Sequence, residues 1–221
     1  MIMNSINNFL KRVFDIVFSV LLLLALLPFF IFIAIAILID SKGPIFFKQP
    51  RLGLKGKVFN IYKFRSMVVG AERMGTGLFN YSNDPRVTKV GRFLRDYSLD
   101  ELPQLFNILK GDMSFVGPRP PVTYELGDYK NFDGLLKQRF IMKPGVTGLA
   151  QINGRNELSW DEKIVFDNKY ITDFRRFGIL LDIKILFITV FKVLRNEGSH
   201  ELEKNAEKDM ARINNKAQNN N

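Results

Sequence analysis

The stretch Arg95-Asp96-Tyr97-Ser98-Leu99-Asp100-Glu101-Leu102-Pro103-Gln104 sets two adjacent carboxylates against the start of a short helix. Proline is tolerated in a first helical turn, where its missing N–H would have no partner anyway, so Asp100 and Glu101 stand at or just ahead of a helix N-terminus. That end carries partial positive charge and free amide donors, which favour ionised carboxylates and bound phosphates. An ionised aspartate there can serve as a nucleophile or as a magnesium ligand. The plainer alternative is that Ser98 and Glu101 form only a capping box, for which Ser-x-x-Glu is the ordinary signature.

Directly after the helix comes Gly111-Asp112-Met113-Ser114-Phe115-Val116-Gly117-Pro118-Arg119-Pro120-Pro121. Three prolines around Arg119 make a stiff loop that fixes its guanidinium, whose planar, forked donors match phosphate oxygens. A third segment runs Lys143-Pro144-Gly145-Val146-Thr147-Gly148-Leu149-Ala150-Gln151-Ile152-Asn153-Gly154-Arg155. Its glycines and polar groups suit a loop whose backbone approaches a ligand closely, with Lys143, Thr147, Gln151 and Arg155 as candidate contacts. None of these stretches is a Walker A loop or a GxGxxG fingerprint, so nucleotide hydrolysis on a P-loop and dinucleotide binding find no support.

Elements that could hold these groups are readable by period. Leu102, Leu105, Phe106 and Leu109 recur at i, i+3, i+4, i+7 and are closed by Gly111, which predicts a helix over 102–110. Residues 92–96 and 160–174 read as further helices. Residues 44–49 and 58–65 read as strands of a hairpin around the turn-rich Leu52-Gly53-Leu54-Lys55-Gly56.

Residues 16–39 are uncharged, with Ser19 as the one polar side chain, and Pro28 lies in their middle. As a helix they reach about 36 Å, enough for a hydrocarbon core of about 30 Å. Pro28 removes one backbone bond and clashes with the preceding turn, which predicts a kink or break near residues 25–27. Lys11 and Arg12 precede the run; Lys42, Lys48, Arg51, Lys55, Lys57, Lys63 and Arg65 follow it without an acid among them. Basic flanks stay cytoplasmic, so a re-entrant hairpin that enters and leaves by one face fits better than a single pass. A cleaved signal peptide fits poorly, because the run is too long and no A-x-A-like site follows. Residues 177–195 form a second apolar segment, interrupted by Asp182, Lys184 and Lys192. It reads either as a core-packed amphipathic helix or as one lying on the bilayer with its lysines towards lipid phosphates.

The 221 residues hold no cysteine, which excludes a disulfide framework and a thiolate zinc site, and the net charge of +10 suits anionic lipid, phosphorylated substrates or nucleic acid. The membrane segment favours the first two. From Glu197 onward the chain turns polar and asparagine-rich and is expected to be a disordered tail. His200, the one histidine, falls in it, so histidine-based catalysis is not expected. Trp160 reads equally as an interfacial anchor or as core.

The order KRVFDI, an apolar run with a central proline, FNIYKFRSM, LDELPQLFNILKGDMSFVGPRP and PGVTGLAQINGR resembles the bacterial sugar transferase family, from about residue 9 to 195. These are monotopic phosphoglycosyl transferases that start glycan assembly on a polyprenol phosphate. The resemblance implies a helix-rich α/β fold with a small β-hairpin. It divides the chain into a re-entrant membrane helix (1–40), a catalytic domain (41–196, with an interfacial helix at 177–195) and a tail (197–221). It implies transfer of sugar-1-phosphate from a UDP-sugar to undecaprenyl phosphate with release of UMP and with Mg2+, on the cytoplasmic face of the bacterial inner membrane. On it, Asp100 is the nucleophile and metal ligand and Glu101 its dyad partner. Arg95, Arg119 and Lys63 handle phosphate, and Lys143, Thr147, Gln151 and Arg155 belong to a donor-binding loop. The expected partners are donor, acceptor and membrane lipid, not nucleic acid; a homodimer stays open, as do the sugar and the glycan. Many members carry Ser-Pro where this chain has Leu27-Pro28, and Arg-Pro-Gly where it has Lys143-Pro144-Gly145. Two rival classes remain: a membrane-tethered binder of anionic lipid or nucleic acid through the basic stretch from Lys42 to Arg65, and a phosphohydrolase of the same fold.

Overall fold

The structure, a computed structural model, describes residues 5–74 and 84–195. The polar tail and His200 lie outside them. Helix α1 (Ser5–Asp40) is followed by the antiparallel hairpin β1 (Phe46–Leu52) and β2 (Val58–Phe64), in register from Phe46↔Phe64 to Leu52↔Val58. Then come α2 (Lys89–Asp96), a single 3-10 turn at Leu99–Glu101, α3 (Gln104–Lys110) and β3 (Ser114–Val116). Next, α4 (Gly134–Gln138) leads to β4 (Gly145–Thr147), which pairs in parallel with β3. The chain closes with α5 (Leu149–Ile152), α6 (Trp160–Phe177) and α7 (Ile179–Leu194). This is the helix-rich α/β arrangement with a small hairpin that the sequence predicts, and it adds a two-strand parallel sheet.

Two devices weld the hairpin to the helices. Strand β2 has a free edge, and Asn107 of α3 fills it: its amide donates to Asn60 O at 2.7 Å and accepts from Tyr62 N at 2.9 Å. A buried asparagine thus satisfies edge groups as a third strand would. Helix α2 presses on the segment after β2 at Gly91, where a Cβ would stand 1.9 Å from Ser66 O, so only glycine fits.

Among the described residues α1 is the one helix long and apolar enough, by length and composition, to cross a membrane. It continues through Pro28 as one helix, so of the kink or break expected there the break is not seen. Proline deletes a single bond, and packing on either side carries the helix across: Leu23 and Leu26 before it, and Phe30, Ile33 and Ile37 after it, join the same buried clusters. Both ends are tied to the domain. Arg12 donates to Ile108 O and Leu109 O at 2.6 and 2.8 Å, closing the C-terminus of α3. At the far end, Asp40 accepts from Val90 N at 2.9 Å, and Arg65 donates to Ser41 O at 2.7 Å.

The inward side of α7 carries Ile185, Leu181 and Leu186 into the core together with one charged residue, Asp182. Asp182 is buried and bonded to Lys11 and to Tyr170 Oη (2.7 Å), whereas Leu180, Phe187, Val190 and Leu194 are more than half exposed. The helix therefore packs one side on the core and leaves a broad apolar face exposed, an arrangement compatible with both expected readings. Trp160 is core, with its indole N–H on Glu125 at 3.1 Å.

Candidate active site

Asp100 and Glu101 are buried in the 3-10 turn ahead of α3. Lys63, on β2, reaches both: its Nζ is 2.7 Å from Glu101 Oε1 and 3.6 Å from Asp100 Oδ2. Arg119 donates to the same Glu101 oxygen at 3.2 Å. Burial alone would push the Glu101 carboxyl up; Lys63, then Arg119 and Arg155, outweigh it and hold it well below the usual carboxylate range. Arg119 is in turn pushed up, chiefly by Glu101. Asp100 makes no hydrogen bond among the described residues beyond its ion pair with Lys63. One of the two acids is therefore committed to cations and the other is left open.

Ser98 does not cap the helix, so the capping-box reading is corrected. It sits in the left-handed region at φ 55 and makes no side-chain bond to the following turn. Its hydroxyl accepts instead from Arg155 at 2.9 Å, and Arg155 also has positive φ (52). Non-glycine residues in that region store strain, typically near functional sites. Burial lowers Arg155 from its ordinary value, while Glu101 pulls the other way.

A cavity of about 350 Å³ opens beside this cluster. Leu22 and Leu26 of α1, Phe115, Val146, Ile152 and Val193 of α7 line its apolar part; Glu101, Arg119, Arg155 and Lys192 mark its charged part. Asp100 is next to this lining and not part of it. Thr147 and Gln151 of the predicted loop do line the cavity. Thr147 Oγ1 is 2.8 Å from Thr189 Oγ1, and both amide atoms of Gln151 are buried without a hydrogen-bond partner among the described residues.

Two predicted residues stand apart. Lys143 faces the base of α1, where a Cβ on Gly111 would be 3.4 Å from both its Nζ and an Arg12 nitrogen; burial, then Arg12, lowers its pKa. Arg95 ends α2 and does not line the cavity. Sequence reasoning missed Arg139 and the role of Arg51, which bond main-chain carbonyls of the proline loop. Both have a polar residue nearby in sequence (Gln49 and Gln138), so no local pattern marks either.

No group of three or more His, Asp or Glu gathers for a metal among the described residues. Magnesium commonly takes one or two carboxylates and completes its shell with water and substrate phosphates. An available Asp100 beside an engaged Glu101 fits an ion that arrives with a diphosphate.

The description "Bacterial sugar transferase" matches residues 6–196, which include every group named above. The chain belongs to the bacterial sugar transferase family. Within that family's reach, it is 43% identical to an undecaprenyl-phosphate galactose phosphotransferase of Salmonella typhimurium, over 88% of this chain and 42% of that protein. It is 44% identical to a UDP-glucose:undecaprenyl-phosphate glucose-1-phosphate transferase of Escherichia coli K12, over 90% of this chain and 43% of that one. An uncharacterized sugar transferase, EpsL, of Bacillus subtilis is 44% identical over 86% of this chain and 89% of its own length. The chain thus spans about two-fifths of the length of several relatives and most of the length of another.

Proposed function

We propose that this protein transfers sugar-1-phosphate from a UDP-sugar to undecaprenyl phosphate, releasing UMP. The observation that carries the reading is the cavity, which joins an apolar wall on α1 to a charged end at Glu101, next to Asp100 with its single ion pair to Lys63. An amphiphile with a phosphate head fits such a cavity: its chain lies along Leu22, Leu26 and Val193, and its phosphate meets Arg119 and Arg155.

The chemistry divides into two displacements. An Asp100 carboxylate oxygen attacks the β-phosphorus of the donor, and the bond from that phosphorus to the bridging oxygen breaks, so UMP leaves with the oxygen. A phosphate oxygen of the lipid then attacks the same phosphorus, the acyl-phosphate bond breaks, and Asp100 returns as carboxylate. Charge develops on the phosphoryl oxygens in both steps, and Arg119 and Arg155 offset it from fixed positions. Glu101, held ionised by Lys63, keeps Lys63 and Arg119 in place and is not a proton donor at neutral pH. Asp100 would hold Mg2+, which when bound neutralises diphosphate charge.

The membrane arrangement follows the same logic. Residues along the whole of α1, from Lys11 to Ile37, pack on the domain, so a spanning α1 would draw the charged site towards hydrocarbon. A re-entrant or surface-lying α1, with the exposed apolar face of α7 beside it, keeps the site at headgroup level on the cytoplasmic face. The test is UMP release by purified protein from a panel of UDP-sugars, with and without polyprenol phosphate. Acceptor-dependent release supports transfer. Release without acceptor at many turnovers indicates a phosphohydrolase, and no release leaves a binding protein.

A further inference from the structure

The proline loop that carries Arg119 cannot be anchored in the usual way. Pro118, Pro120 and Pro121 have no N–H, so the loop offers almost only carbonyls to its surroundings. Residues that precede proline are also confined to extended conformations, whose successive carbonyls point in different directions. A single neighbouring strand cannot reach them all.

Every one of the four consecutive carbonyls is nevertheless taken. Gly145 N on β4 donates to Pro118 O at 3.0 Å, and Leu52 N on β1 donates to Pro121 O at 3.0 Å. Between these, where no strand runs, two side chains serve: Arg139 donates to Arg119 O at 2.6 Å and Arg51 to Pro120 O at 3.0 Å. Arg139 is itself fixed. Asp167 accepts from its Nε and its terminal nitrogen at 2.9 and 2.7 Å, and the rings of Trp160 and Phe140 lie 4.9 and 5.2 Å from its guanidinium carbon. Arg51 is also held by Gln49. Burial pushes Arg51 down to about 10, so it stays charged at neutral pH.

We infer that Arg51 and Arg139 are positioning residues: they act on the chemistry through the main chain of the loop, by fixing where the Arg119 guanidinium stands relative to Glu101 and the cavity. Asp167 sets Arg139. The inference rests on the transferase reading for its catalytic consequence, and on geometry alone for the loop. It also accounts for an arginine buried at 2% exposure that touches neither acid.

Arg51→Met removes one anchor from a half-buried site. Arg139→Met alone would leave a buried unpaired carboxylate and can unfold the domain, so it is paired with Asp167→Leu to remove both charges. Each is made in the wild-type and the Arg119→Ala backgrounds. Three quantities are read: turnover, donor KM, and hydrogen exchange of residues 117–122 without substrates. Displacing a transition-state group by a fraction of an ångström to an ångström costs up to roughly 100-fold, so turnover should fall about 10- to 100-fold with little change in donor KM. Exchange in 117–122 should quicken. In the Arg119→Ala background the same changes should cost less than about twofold further, because the group they position is gone. Equal fold losses in both backgrounds, or unaltered exchange, would overturn the inference. A wild-type protein that transfers nothing sinks the transferase reading alone, and the exchange measurement still decides whether the two arginines order the loop.

Discussion

Lys63 Nζ stands 2.7 Å from Glu101 and 3.6 Å from Asp100, one cation serving two buried acids from a neighbouring strand. That relationship depends on Asn107, which fixes α3 against β2 and so sets the height of Lys63 beside the acid turn. It also divides the labour of the pair. The shorter contact, with Arg119 added, binds Glu101 into an ion cluster, and Asp100 has only the longer contact to Lys63.

Lys63→Met should raise the Glu101 carboxyl towards the ordinary range. A group whose folded pKa is depressed contributes stability that is present above its unfolded value, here 4.5, and lost as pH falls through the folded value. The wild type should therefore lose this contribution progressively as pH falls below 4.5, and the variant, which has less of it to lose, should be the less stable of the two above that pH and unfold at a higher pH. Acid titration in detergent, followed by circular dichroism, checks this. Coincident acid midpoints would mean that Lys63 adds nothing to the ionised Glu101.

Arg119→Lys keeps charge and loses the fork. If the lost charge-assisted bond is made in the transition state and is worth about 1.5 to 3 kcal/mol, turnover should drop roughly 10- to 150-fold. Membrane binding and thermal stability should hold. Unchanged turnover would make Arg119 a packing residue of the loop.

Both ends of α1 should face the cytoplasm. The chain has no native cysteine, so single cysteines at Ser5 and Lys42 report cleanly. Both should react with an impermeant maleimide only in inside-out vesicles. Labelling of one of them from the outer face would restore a single pass.

The sequence was legible where function and periodicity are local. The apolar run, the helix closed by Gly111 and the hairpin all follow from spacing within ten or so residues, and they fold as that spacing implies. Ser98 misled because Ser-x-x-Glu reads as a cap, whereas its left-handed backbone points the hydroxyl at an arginine 57 positions away. The orientation of α7 turned on Asp182, whose partner Lys11 is 171 residues distant, so no local pattern could reveal which face goes inward. Lys143 read as part of a ligand loop, but the next residue, Pro144, already accepts from Ser114 of β3, and the Lys143 side chain lies by Gly111 near Arg12. Arg51 and Arg139 were hidden for the same reason: they recognise carbonyls, which every residue has.

The cavity wall offers a way to separate acceptor from donor. Val193→Phe should narrow the apolar end without touching Asp100, Glu101 or Arg119. Acceptor KM should rise several-fold, while UMP release in a single donor-only turnover stays as in the wild type. An equal loss in the donor half-reaction would place the donor, and not the lipid, along α7.

Asp100 should form the covalent bond. A carboxylate nucleophile splits the transfer in two, so donor and acceptor should give ping-pong kinetics. With UDP-sugar and magnesium but no lipid, one UMP should be released per active enzyme, and intact mass should rise by a phosphosugar on the peptide that holds Leu99 and Leu102. Asp100→Asn is nearly isosteric and loses only the Lys63 ion pair at 3.6 Å, so it should fold and yet give no adduct and no turnover. Glu101→Gln should be informative in a different way. It breaks the cluster with Lys63 and Arg119 but leaves the nucleophile, so adduct formation should slow and not vanish. An adduct that survives Asp100→Asn but is lost in Glu101→Gln would exchange the two roles. Sequential kinetics that need both substrates together would replace the intermediate by direct attack of the lipid phosphate, with Asp100 left as a metal ligand.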